Sequence, residues 1–289
     1  MGESVSWPKT GDHVILAWIP PCGRCRTCLG GQPNLCTAFQ AAQATPVFSQ
    51  GETGVQAALG VGAFADETVV PVESVVPIPE DVPFEVAALV GCGVMTGVGA
   101  VMNTAKVAPG SNVVVVGCGG VGINVVQGSR LAGAATILAV DRIPWKRDLA
   151  VEFGATRAVS DAGLRDAVRD LTAGVGFDYA FEVVGQSSTI RAAWDVTRRG
   201  GTTVVVGAGS RDDEVRFNAA ELFFSERRLL GCLYGSADVR RDFVRILDLW
   251  RANRLKVERL VSRRISLDEV NDAFAAMERG EVLRSLICA

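Results

Sequence analysis

Val113-Val-Val-Val-Gly117-Cys-Gly119-Gly120-Val121-Gly122 is an apolar run followed at once by a glycine loop. Valines in succession suit a parallel strand buried on both faces. The glycines fall in the order GxGxxG. That spacing alone is weak evidence, but directly after a strand and at the start of a helical pattern it is strong. Gly117 permits the tight turn, Gly119 lets backbone approach a pyrophosphate, and Gly122 lets the helix pack close to the strand. The helix N-terminus, with Gly120 and Val121 in the turn before it, offers N–H donors and a partial positive charge to phosphates.

Reading outward, the next strand spans 136–140 and ends on Asp141, about 20 residues beyond the loop, where the fingerprint places an acid. Its carboxylate suits ribose hydroxyls and repels a 2′-phosphate, which favours NAD over NADP. Arg142 beside it softens that repulsion. Alone, Asp141 would read as a helix N-cap. Further strands are expected at 177–184, 202–206 and 229–234, with helices to about 132, to 153, and between the third and fourth strands. This alternation predicts an α/β chain with a doubly wound parallel (Rossmann) sheet.

The flanks read differently. Strands are expected at 13–19, 64–70 and 74–78, the stretch 40–60 is polar and glycine-punctuated, and Pro83 opens a helix. Val239, Phe243, Ile246 and Trp250 share one helical face. Ser266-Leu-Asp-Glu269 fits a capping box, and a strand at 283–287 closes the chain. Between the first two strands lies Cys22-Gly-Arg-Cys25-Arg-Thr-Cys28, followed by Cys36. Four thiols at spacings of two, two and seven can converge on one tetrahedral Zn²⁺, at S–Zn distances of about 2.3 Å. Four protein ligands leave no open position, so such a site is structural. Arg24 and Arg26 can offset its negative charge. Three close cysteines and a remote one also suit an iron–sulfur cluster, but the surroundings are β-rich and not ferredoxin-like.

Composition excludes some classes. The 289 residues carry 29 Lys+Arg against 32 Asp+Glu, a net charge of −3, with no basic footprint for nucleic acid. The uncharged stretch 86–102 is short and glycine-rich for a membrane span, and the N-terminus lacks the pattern of a signal peptide. A cytoplasmic protein is expected, in which eight cysteines serve as metal ligands or buried thiols rather than disulfides.

Taken together, these segments resemble the medium-chain, zinc-dependent alcohol dehydrogenase family, in the branch of classical alcohol, thiol-dependent formaldehyde and aryl-alcohol dehydrogenases. The residues that carry the resemblance are Gly11-Asp-His-Val14, the cysteine lobe (20–37), Gly91-Cys-Gly93, Gly117 to Gly122, Val140-Asp141, Phe181-Glu-Val-Val-Gly185 and Arg284 near the end. The resemblance implies a discontinuous catalytic domain, 1–93 and 234–289, around a dinucleotide-binding domain, 94–233, with the active site in the cleft between them. It makes Cys92 a ligand of a catalytic zinc. It sets Thr96 and Val183 near the nicotinamide, Lys146 near the adenosine ribose and Arg284 at the pyrophosphate. The implied reaction is hydride transfer between a small alcohol or aldehyde and NAD, with zinc as Lewis acid. The implied assembly is a homodimer or homotetramer.

The sequence departs from the family at its beginning. The first catalytic cysteine and the Gly-His-Glu histidine of the family fall upstream of Met1, so Cys92 alone remains of three ligands. This predicts an N-terminally truncated reading of the gene. His13, the single histidine, reads as a surface turn residue. Cys118, Cys232 and Cys288 read as buried apolar residues rather than ligands. Two rival functions stay open: a non-catalytic protein that binds NAD and structural zinc, and a zinc-free quinone reductase, against which the cysteine lobe and Cys92 argue.

Overall fold

The computed structural model describes residues 2–3, 5–39 and 48–288. Residues 40–47 of the glycine-punctuated stretch, and Met1, lie outside the described residues. The chain divides into two compact units, Met1–Met95 with Ala237–Ala289, and Thr96–Ser236.

The first unit opens with β1 (Val14–Leu16). Helix α1 (Arg26–Leu29) lies in the cysteine lobe, and a small hairpin follows, β2 (Phe48–Gln50) with β3 (Thr53–Val55). Strand β4 (Val75–Pro77) pairs antiparallel with β1. The expected strand at 13–19 is shorter because the ladder ends at Leu16. The stretch 64–70 is not a strand: Phe64 and Val69 stand exposed. His13 is half-buried rather than a surface turn residue, its ring 4.4 Å from that of Phe84.

Pro83 does open a helix. Helix α2 runs Phe84–Ala105, longer than the uncharged stretch suggested. By length and composition alone it could cross a membrane, yet 72% of its most apolar window is buried inside the fold, as in a core helix. Two of its turns, Val90–Val94 and Ala100–Ala105, are wide π-turns. Such turns often occur at functional sites.

The second unit alternates strand and helix: β5 (Asn112–Val116), α3 (Gly122–Leu131), β6 (Thr136–Val140), α4 (Pro144–Glu152), β7 (Arg157–Val159), α5 (Leu164–Thr172), β8 (Phe177–Glu182), α6 (Ser187–Val196), β9 (Thr197–Val205), α7 (Ala219–Ser225) and β10 (Arg228–Gly231). All six strands are parallel, in the order β10-β9-β8-β5-β6-β7. Val113 to Val116 are buried on the central strand, as an apolar run between neighbours requires. Leu164 and Ala167 of α5 and Ala193 and Val196 of α6 pack with Val114, Val116, Leu138 and Val140. Each large side chain buried here contributes about 1.5–3 kcal/mol. The strand order reverses between β5 and β8, with β6 and β7 laid down on one side of β5 and β8 to β10 on the other, and crevices outside the carboxyl ends of strands at such a point take ligands.

The first unit resumes with α8 (Val239–Arg251), which buries Val239, Phe243 and Ile246, while Trp250 is half-buried. Strand β11 (Val261–Ile265), the predicted capping box at Ser266, α9 (Val270–Glu278) and β12 (Arg284–Ile287) follow, with β11 and β12 parallel. Cys118 and Cys232 are buried as expected, but Cys288 is exposed, one residue beyond the last strand.

Candidate zinc and dinucleotide sites

Local geometry gathers the lobe thiols. Cys25 precedes α1, which carries Cys28 one turn on. Cys36 follows the tight turn Pro33–Leu35, and the Thr27 hydroxyl bonds Leu35 O at 2.9 Å, tying the two turns together. The four sulfurs lie within 4.8 Å of one another, the one such cluster among the described residues. Cys25 Sγ and Cys36 Sγ are 3.9 Å apart, and a tetrahedron with S–Zn of about 2.3 Å has edges of about 3.8 Å. Amides of Cys22 and Cys25 donate to Cys36 Sγ and Cys22 Sγ, each at 3.4 Å.

The thiols differ sharply. The Thr27 hydroxyl and the Cys28 amide bring Cys25 down to about 5. The Arg24 amide, then that of Cys25, lowers Cys22. Burial pushes Cys28 up to about 12. Crowded sulfurs cannot all be thiolates without a cation, and a doubly charged ion among them would hold all four in that form. The donor set and its spacing therefore fit zinc.

Cys92 sits exposed in the first π-turn of α2. The Arg284 guanidinium lies over the next residue: a Cβ on Gly93 would stand 3.2 Å from Arg284 Nη2. Burial lowers the Arg284 pKa, and the negative charge of Cys92 opposes that shift. The structure thus brings Cys92 and Arg284 together within the first unit.

The second unit brings together the glycine loop, Asp141 and Val183. Gly117 has φ +95°, and a Cβ there would approach Val184 Cγ2 to 2.7 Å. Gly119 faces open space: a Cβ there would meet nothing within 4 Å, so a phosphate has room beside its backbone. Gly122 packs so close to Gly117 that a Cβ would lie 1.8 Å from its carbonyl oxygen. At the start of α3 the amides of Ile123, Asn124 and Val125 donate to Gly119 O, Val121 O and Val121 O at 2.9, 2.9 and 3.0 Å, which ties the helix to the glycine loop. Asp141 is held at both oxygens: Cys118 N donates to Oδ2 and Ile143 N to Oδ1, each at 2.8 Å. The acid is thus both loop anchor and cap for the turn into α4. Val183 N donates to Val116 O at 2.8 Å, which sets the loop after β8 beside the glycine loop. Thr96 is half-buried on α2, next to Gly97, whose Cβ would lie 2.5 Å from Val121 O. Lys146 stands 5.5 Å over the Trp145 ring, and Arg142 is exposed.

Sequence reasoning passed over three supports of this site. Arg147 Nη1 donates to the carbonyls of Asp141 and Arg142 at 2.9 and 3.0 Å, fixing the chain that carries the acid. Asn124 Nδ2 donates to Gly120 O at 2.7 Å, and Gln127 Nε2 to Asn124 Oδ1 at 3.0 Å, both side chains fully buried. Glu182 is wholly buried at the end of β8. A signal was present for the last: an acid that closes the strand just before Val-Val-Gly.

The fold agrees with what the chain resembles. Residues 1–80 match the alcohol dehydrogenase GroES-like domain, and residues 120–251 match the zinc-binding dehydrogenase domain. The chain is 34% identical over 304 residues to S-(hydroxymethyl)glutathione dehydrogenase of Paracoccus denitrificans, covering 99% of this chain and 81% of that protein. It is 37% identical to the NDMA-dependent alcohol dehydrogenase of Amycolatopsis methanolica, over 99% of this chain and 80% of the relative. Benzyl alcohol dehydrogenase of Acinetobacter calcoaceticus superposes with a TM-score of 0.91 at 28% identity, over 99% of this chain and 80% of its own. The chain belongs to the medium-chain, zinc-dependent alcohol dehydrogenase family.

Proposed function

We propose that the glycine loop and Asp141 hold NAD in preference to NADP, that Cys22, Cys25, Cys28 and Cys36 hold a structural zinc, and that the reaction served is oxidation of a small alcohol or reduction of its aldehyde. The observation that carries this is the bond from Cys118 N to Asp141 Oδ2, which joins the phosphate loop to the ribose acceptor. In this reading Gly117, Gly119, Gly120, Val121 and Gly122 seat the pyrophosphate. Asp141 accepts from the ribose hydroxyls, with Arg142 and Lys146 close by. Val183 and Thr96 border the nicotinamide, and Arg284 pairs with the pyrophosphate charge. Cys92 supplies one thiolate to a catalytic zinc, whose chemistry is to polarise the substrate oxygen.

Such a zinc normally takes three protein ligands, and among the described residues the lobe thiols form the one cluster of three or more such side chains. This favours a second reading of the chain by itself: nucleotide and structural zinc are bound without turnover. Metal analysis with an assay separates the two. Two zincs per chain and NADH formation from benzyl alcohol or ethanol support the enzyme. One zinc, NAD binding and no turnover support the second reading. NADPH-dependent quinone reduction would sink both.

A cytoplasmic homodimer or homotetramer is also proposed. Strand β10 is an open sheet edge, Leu229 on it is exposed, and Phe223 and Phe224 of α7 are exposed beside it in sequence. Light scattering that returns only a monomer would end the oligomer proposal.

A further inference from the structure

The loop after β8 carries Val183, and the residue before it holds that loop in shape. Glu182 has 0% of its surface exposed. Its Oε1 accepts from the amides of Val184 and Gly185, each at 2.8 Å, and from the Thr189 hydroxyl at 2.7 Å. Its Oε2 is buried with no hydrogen-bond partner among the described residues. The Glu182 carbonyl in turn accepts from the amides of Val206 and Gly207 at 2.8 and 3.1 Å.

Burying a carboxylate is costly unless its hydrogen bonds repay the lost water. Here the donors gather on one oxygen, and two of them are consecutive amides of the loop itself. The third is a hydroxyl on the first turn of α6, which fastens the loop to a rigid element. The bonds leave little freedom to the peptide that presents Val183. Gly185 adds a fixed distance: it has φ +87°, and a Cβ on it would stand 2.7 Å from Ala208 backbone.

We propose that Glu182 is a positioning residue for the nicotinamide half of the dinucleotide: by gathering two loop amides and the Thr189 hydroxyl on Oε1, it fixes the peptide that presents Val183. The inference rests on the nucleotide-binding reading above. It concerns one end of the ligand only, because the adenosine end has its own anchors at Asp141 and Arg147. A side chain that merely stabilised the unit would affect both ends alike.

The test uses calorimetric titration of the full chain with NAD and with ADP-ribose, which lacks the nicotinamide. Glu182→Gln keeps the shape but removes the charge, and Thr189→Val removes one donor. Each is expected to weaken NAD about tenfold, the effect of one charge-assisted hydrogen bond. ADP-ribose should stay within about twofold of the unaltered chain. Thr189→Ser, which keeps the hydroxyl, should restore NAD binding. Equal weakening of both ligands, or unchanged NAD affinity in both variants, would overturn the proposal. Should Glu182→Gln not fold, the Thr189→Val and Thr189→Ser pair decides alone. An unaltered chain that binds neither ligand would instead refute the nucleotide-binding reading.

Discussion

The cysteine lobe sets four sulfurs within 4.8 Å of one another with only short turns around them. The glycine loop sits on a six-stranded parallel sheet, with close approaches to its own backbone at Gly122 and to Val184 at Gly117. Three of the lobe thiols are half-buried, and their surroundings push Cys25 down to about 5 and Cys28 up to about 12. The loop is shaped by its own hydrogen bonds and turn: Asp141 has both oxygens bonded and Gly117 takes φ +95°. In one region side chains converge on a point; in the other the backbone shapes a groove.

Zinc removal should break this comparison most visibly. Structural zinc contributes on the order of 10 kcal/mol to the folding of small sites. Stripping it with a chelator, or changing Cys36→Ser, should open residues 20–37 to rapid hydrogen exchange. NAD affinity of the second unit should hold. Parallel loss of both would show that the two regions do not stand independently.

The reverse experiment comes next in size. Gly117→Ala forces a side chain onto φ +95° against Val184. NAD binding should fall about 100-fold, or roughly 2.7 kcal/mol, while zinc content stays unchanged by elemental analysis. A smaller change should sharpen cofactor choice. Asp141→Asn removes the charge that repels a 2′-phosphate, so the NAD-to-NADP affinity ratio should drop about tenfold. An unchanged ratio would transfer that choice to other residues.

Acid should separate the regions more gently. In the second unit the Trp194 indole N–H, at 2.7 Å, and then Arg191 hold the Glu221 carboxyl below its ordinary value of 4.5. The folded form therefore gains from the ionised acid above that pH, and this gain is lost as pH falls through the lower, folded value. Zinc leaves the lobe as its thiolates protonate. Released zinc, read with a chromogenic chelator, should precede the change in the near-ultraviolet signal of buried Trp194. In Glu221→Gln the acid dependence of that signal should flatten.

Much of this was legible in the sequence because period and chemistry coincide. Four valines before GxGxxG became β5 and its loop, and Asp141 fell at the end of β6. The four lobe cysteines converged as their spacing required. What escaped were elements with too few residues to show a period: β7 and the β2–β3 hairpin have three-residue strands, and β11 has the exposed run Ser262-Arg-Arg264 at its centre. Phe64 to Val70 shows the opposite error, a plausible strand pattern that is left exposed. Glu182, Asn124 and Arg147 escaped for another reason. Their work lies in hydrogen bonds to backbone, and backbone position has no spelling in sequence until the loops are folded.

Gly185 and Gly207 meet so closely that a Cβ on Gly207 would lie 2.2 Å from the Gly185 amide nitrogen. Two crowded positions in a core can usually trade volume, one growing as the other shrinks. Here both are already at the minimum, so no exchange exists. In a mutational library neither position has a rescuing change at the other, and the loops after β8 and β9 can diverge only by moving their strands together.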